Sequence, residues 1–212
     1  MSAYLSSYVF PLLVLALGLQ YLGERLFRSA SRRRRGILSC AAAFFIGCIP
    51  VDGLPLARWP ASANASFCIP FTLVVLNGIW NRTFGNPLMN GPALRAAWIF
   101  GLVGGGILYP MALGWGSWDP YVAGYGSIWL FAALWLVTIL LLLRKNGFGT
   151  VLVLAALAFD LRILDSENAW DYYIDPIYTA SSLAAMGVPL VKKVFNSART
   201  RLRGIPPHPR HD

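Results

Sequence analysis

Charge is what this 212-residue chain has least of: only 13% of it is Asp, Glu, Lys or Arg, about half the ~25% of a soluble domain. So little charge excludes a soluble globule, a disordered coil and a long coiled coil. Histidine is as scarce. His208 and His211 both lie in the last few residues, so the apolar body has no imidazole for haem, zinc or proton transfer. The three cysteines, Cys40, Cys48 and Cys68, form no CxxC pair and sit in apolar stretches, where a thiol acts as a small hydrophobe. No Walker loop, GxSxG elbow, HExxH motif, dinucleotide fingerprint or long repeat occurs, which leaves no nucleotide motif.

What the chain has is apolar length. Its composition is 57% hydrophobic and 14% aromatic, with a mean hydropathy of +0.56. A helix crosses a bilayer with about 20 mostly apolar residues. Seven stretches qualify or come near: residues 8–27, 37–56, 67–80, 96–114, 127–143, 148–164 and 177–191. The third is short and needs extension back to Asn64; the second is slowed at its end by Pro50, Asp52, Gly53 and Pro55. Gly101 and Gly105 have the small-xxx-small spacing that lets two helices approach closely. The expected fold is therefore all-α, a polytopic membrane bundle of seven transmembrane helices. It occupies residues 1–195, and a basic, Pro-rich, disordered cytoplasmic tail occupies residues 196–212.

The 18 Lys and Arg outnumber the 9 Asp and Glu. In a soluble protein that excess points to nucleic acid; here the basic residues lie in short runs beside apolar segments, so no nucleic-acid partner is expected. Orientation follows from them. No Lys or Arg precedes the first span, whereas Arg25, Arg28 and Arg32 to Arg35 follow it, the reverse of a secretory signal peptide. With the N-terminus outside and the tail inside, 16 of the 18 basic residues fall on the cytoplasmic side and only Arg58 and Arg162 outside, as the positive-inside rule requires. The Arg-over-Lys bias and the Ala- and Gly-rich composition suit a GC-rich bacterium, so the expected location is the bacterial inner membrane.

The acids fall on the opposite side. In this topology Asp52, Asp119, Asp160, Asp165, Glu167, Asp171 and Asp175 all reach the outer boundary, although acids contribute little to orientation. A short helix over residues 166–174 would repeat Glu167, Asp171 and Asp175 every four residues on one face. Asp160 and Arg162 fall within the end of the sixth span, where an ionisable group needs a partner or a cavity. The catalytic candidates are thus Asp160, Glu167 and Asp171. The candidate metal ligands are Asp52, Asp119, Asp165, Glu167 and Asp171, whose oxygens suit calcium or magnesium rather than zinc. Against this, Asp119-Pro120 and Asp175-Pro176 read as helix starts, with Asp as cap and Pro in the first turn.

Three functions fit. The leading one is an accessory or scaffold subunit of a cell-envelope assembly or biosynthetic system, with the bilayer and other membrane-protein subunits as partners. The second is a membrane enzyme using the outer carboxylates on a lipid-linked substrate. The third is a small transporter or channel with helices broken near Pro70, Gly104 to Gly106 and Pro110.

Overall fold

The apolar stretches fold as α-helices. The structure, a computed structural model, describes residues 2–62, 64 and 66–203. Eight α-helices follow one another: α1 (Ser2–Leu26), α2 (Arg32–Gly47), α3 (Ile69–Phe84), α4 (Gly91–Ala112), α5 (Ile128–Leu143), α6 (Phe148–Asp160), α7 (Trp170–Tyr173) and α8 (Pro176–Arg203). A two-stranded hairpin, β1 (Pro50–Val51) and β2 (Leu54–Pro55), and 3-10 helices at Leu56–Ser62 and Pro120–Tyr125 complete the described part. The all-α expectation holds. Residues 196–203 of the expected tail continue α8, and residues 204–212 lie outside the described part.

Among the described residues two helices are long and apolar enough to cross a membrane: Tyr8–Leu26 within α1, and α4. Only 22% and 28% of their most apolar stretches are buried. Helix α8 is longer, at 28 residues, but is not among them, and α2, α3, α5 and α6 are shorter. At 1.5 Å per residue, α2, α3 and α5 with 16 residues each span about 24 Å, and α6 with 13 spans about 20 Å.

Each short helix has an identifiable stop. The second apolar stretch does not continue to residue 56 as one helix: α2 ends at Gly47, and Asp52 (φ 49°) and Gly53 (φ 79°) make the turn between β1 and β2. Two consecutive positive φ values are the mark of a type I′ turn, and Asp-Gly is its favoured pair. The third helix does not reach back to Asn64; it starts at Ile69 with Cys68 as cap residue. α6 ends in a Schellman motif, in which Ile163 N–H donates to Ala158 O and Arg162 N–H to Phe159 O. Arg162 is left-handed at φ 49°. Asp160 is therefore the last helical residue and is exposed, and Arg162 lies beyond the helix rather than within it. Pro70 opens α3 instead of breaking it, and α4 runs on through Gly104 to Gly106 and Pro110.

Packing divides into three groups. α1, α2 and α3 meet one another, α5 pairs with α6, α4 pairs with α8, and α3 reaches α6 and α7. The α4–α8 seam is the close approach that the glycine spacing predicts. A Cβ on Gly105 would overlap the Thr179 side chain, and one on Gly101 would overlap Ser182 and Tyr178. At the α1–α2–α3 junction, Gly36 lies against Thr83, and buried Gln20 donates to Thr83 Oγ1 at 3.0 Å. Between the groups runs an aromatic core. Phe10 stacks on Phe67 with centroids 4.2 Å apart, and Phe71 on Tyr178 at 5.4 Å. That core seats the start of α3 against the start of α8.

Candidate functional site

The polar chemistry concentrates where the N-termini of α3 and α8 meet residues 164–175 and the 3-10 helix at Pro120–Tyr125. Asp175 is the centre of it. The residue is 3% exposed, and its carboxylate accepts from two helix starts: Tyr178 N–H in α8 at 2.8 Å through Oδ1, and Cys68 N–H at the head of α3 at 2.9 Å through Oδ2. Two helix N-termini thus supply N–H donors and positive dipole ends to one buried charge.

The loop before Asp175 is held by its own side chains. Ser166 Oγ accepts from Asn168 N–H at 3.0 Å, and Asn168 Oδ1 accepts from Trp170 N–H at 2.9 Å. Each bond replaces a helical turn with a local side-chain turn. The expected helix over residues 166–174 is therefore reduced to Trp170–Tyr173, and Glu167, Asp171 and Asp175 share no helical face. Asn168, which sequence reasoning did not single out, is 1% exposed and donates through Nδ2 to Tyr121 O at 2.9 Å. Gly124 lies against it with no room for a Cβ. Trp170 Nε1 donates to Pro120 O at 2.8 Å, and Ala169 N–H to Gly124 O at 2.9 Å. The 3-10 helix and the loop are laced together.

Asp171 is the second carboxylate with a defined role. It accepts from Ser166 Oγ at 2.6 Å and from the Tyr121 hydroxyl at 3.2 Å. Burial, and then the negative charge of Asp171, push the Tyr121 phenol above its ordinary range. Tyr173, buried beneath, is pushed up to about 12 by desolvation. Asp119 caps the 3-10 helix, accepting from Tyr121 N–H at 2.9 Å.

The remaining candidates are dispersed. Asp52 sits at the hairpin tip, and Asp160, Asp165 and Glu167 are exposed. Among the described residues no three His, Cys, Asp or Glu side chains come together as a metal-binding group. The expected convergence of Asp52, Asp119, Asp165, Glu167 and Asp171 on one cation is not formed. The physical reason is that Asp119 and Asp171 are committed to local N–H and O–H donors, while Asp52 is carried off on its own hairpin. Asp160 has a different setting. It lies at the rim of a groove of about 350 Å³ walled by Phe131, Trp135 and Leu157, with Tyr173 beside it.

No family model matches this chain, and no curated protein or solved structure matches it either.

Proposed function

We propose that the chain is a seven-span inner-membrane protein, N-terminus outside and tail in the cytoplasm, and that it acts as an accessory or scaffold subunit of a cell-envelope assembly. The spans are α1 to α6 and α8. The observation that carries the membrane reading is α5. This helix is apolar on every side, yet only the stripe Leu130, Leu134, Thr138 is buried. Trp129 is 82% exposed and Leu143 75%. An apolar surface of this extent supports burial in hydrocarbon. Among the described residues exposed large apolar side chains outnumber buried apolar ones. The scaffold reading is supported by what the acids do. Asp171 and Asp175 serve as joints between elements and Asp119 as a local cap, which rigidifies a surface rather than poising a reaction.

One observation favours the enzyme alternative: Asp160 lines a mainly apolar groove formed by α5, α6 and Tyr173, where the head of a lipid-linked substrate would meet a carboxylate. Two experiments test these readings. Reporter fusions after Arg35, after Lys145 and at Asp212 should all report cytoplasm; a periplasmic signal after Lys145 overturns the seven-span topology. In a deletion strain, Asp160→Asn and Glu167→Gln should complement like the wild type. Failure to complement at normal abundance would favour the enzyme.

A further inference from the structure

Between α1 and α2 runs a groove of about 370 Å³. Its walls are apolar, built mainly by Leu19, Leu22 and Leu26 of α1 and by Leu38 and Ala42 of α2, and one end closes on Arg34 and Arg35. Arg35 donates through Nη1 to the carbonyls of Phe27 at 2.9 Å and Arg28 at 3.4 Å. It thereby caps α1 and is fixed in place, while the Arg34 side chain is exposed.

The charge here is unbalanced. Arg32 to Arg35 fill the first turn of α2, which has no acid, and a helix N-terminus already carries about half a positive charge. Four cations on a positive dipole end repel one another, and an anion relieves them. The acid beside them, Glu24, is engaged by Arg82 at 2.6 Å. Arg35 also borders a polar recess of about 10 Å³ lined by Gln20, Arg32, Arg82 and the paired Glu24. Gln20 is 3% exposed, and its Oε1 has no hydrogen-bond donor among the described residues. The recess is the size of a single hydroxyl or water.

We infer that the α1–α2 groove is a binding site for an anionic diacyl phospholipid with a hydroxylated headgroup, of the phosphatidylglycerol class. An acyl chain lies along the leucines. The phosphate rests on the Arg34 side chain and the N–H groups that precede Arg34 in the first turn of α2, Arg34 N–H itself being capped by Ser31 Oγ, and a headgroup hydroxyl donates into the recess at Gln20. Charge complementarity selects the phosphate and apolar length selects the tail; a soluble anion satisfies only the first half of the site and a neutral lipid only the second. The proposal rests on the membrane reading above and deepens it.

The test uses the full chain purified in detergent, with native mass spectrometry as readout. Cell fractionation comes first: a chain found in the soluble fraction defeats the membrane reading itself. Given a membrane chain, phosphatidylglycerol should be retained in preference to phosphatidylcholine. Arg34→Ala should weaken that retention about fivefold, the worth of one basic residue against an anionic lipid, whereas Arg144→Ala should leave it unchanged. Ala42→Phe, which fills the groove, should abolish retention without lowering the thermal midpoint. Equal binding of the two lipids, equal loss in Arg34→Ala and Arg144→Ala, or full competition by soluble glycerol phosphate would each overturn the site.

Discussion

Gly105 of α4 lies directly against Thr179 of α8, so close that no Cβ fits between them. Gly106, one residue on, faces open space. Gly105→Val should therefore force the α4–α8 seam apart and lower stability by about 2–3 kcal/mol, the cost of overpacking a tight contact. Gly106→Val should be neutral or slightly stabilising, because valine is the better helix former. Detergent unfolding of the two variants side by side checks this; equal effects would refute the seam.

Asp175 joins two helix starts. Removing its carboxylate orphans Cys68 N–H and Tyr178 N–H in a buried site. Asp175→Ala should cost about 3 kcal/mol, combining a lost cap with an unsatisfied buried donor. Asp119→Ala, at an exposed cap, should cost about 1 kcal/mol. A chemical-denaturation series that ranked them the other way would contradict the joint.

High pH should loosen the loop between α6 and α8. The Tyr121 and Tyr173 phenols are both raised in the fold, Tyr173 to about 12, against about 10 in an unfolded chain. Each is thus harder to ionise folded than unfolded. Their contribution is full below about pH 10 and falls as pH rises above it, that of Tyr173 being lost as pH climbs through about 12. Tyr121→Phe should blunt the loss, since the unfolded chain then has one phenol fewer to ionise while the folded one holds its own neutral. The measurement is the unfolding midpoint from pH 8 to 12, and a flat profile in the wild type counts against it.

Gln20 separates two effects. Gln20→Leu loses the bond to Thr83 but also removes the unpartnered Oε1. Thr83 keeps its own donation to Ile79 O at 2.9 Å. The net change should stay within about 1 kcal/mol. Gly36→Ala, which drives a methyl into Thr83, should cost more. Thermal midpoints of the pair decide it.

Much of the architecture was legible because apolar runs are long-range averages: each of the seven stretches contains a helix, and the Gly101/Gly105 spacing named its seam. The misses are local. The Asp52-Gly53 pair was read as slowing a helix when its turn chemistry ends one and starts a hairpin. The four-residue spacing of Glu167, Asp171 and Asp175 suggested a helical face, but Ser166 and Asn168 bond to their own backbone and pre-empt the helix. Asp160 was placed in the membrane because its apolar neighbours continue to Leu164; the left-handed turn at Arg162 that releases it depends on backbone conformation. Asn168 escaped notice because its role depends on Gly124, which is distant in sequence and carries no periodic signal.

The bond between Asp175 and Cys68 spans 107 residues of chain, and this has a consequence for synthesis. A ribosome adding about 5–20 residues per second takes about 5 to 20 s to travel from one partner to the other. For that interval α3 exists without the carboxylate that tethers its head, and α4, α5 and α6 emerge before it arrives. The last helix therefore locks a structure whose first half has been waiting. Premature termination anywhere before Asp175 should leave a nascent chain that is helical but unlatched, and thus a substrate for membrane proteases.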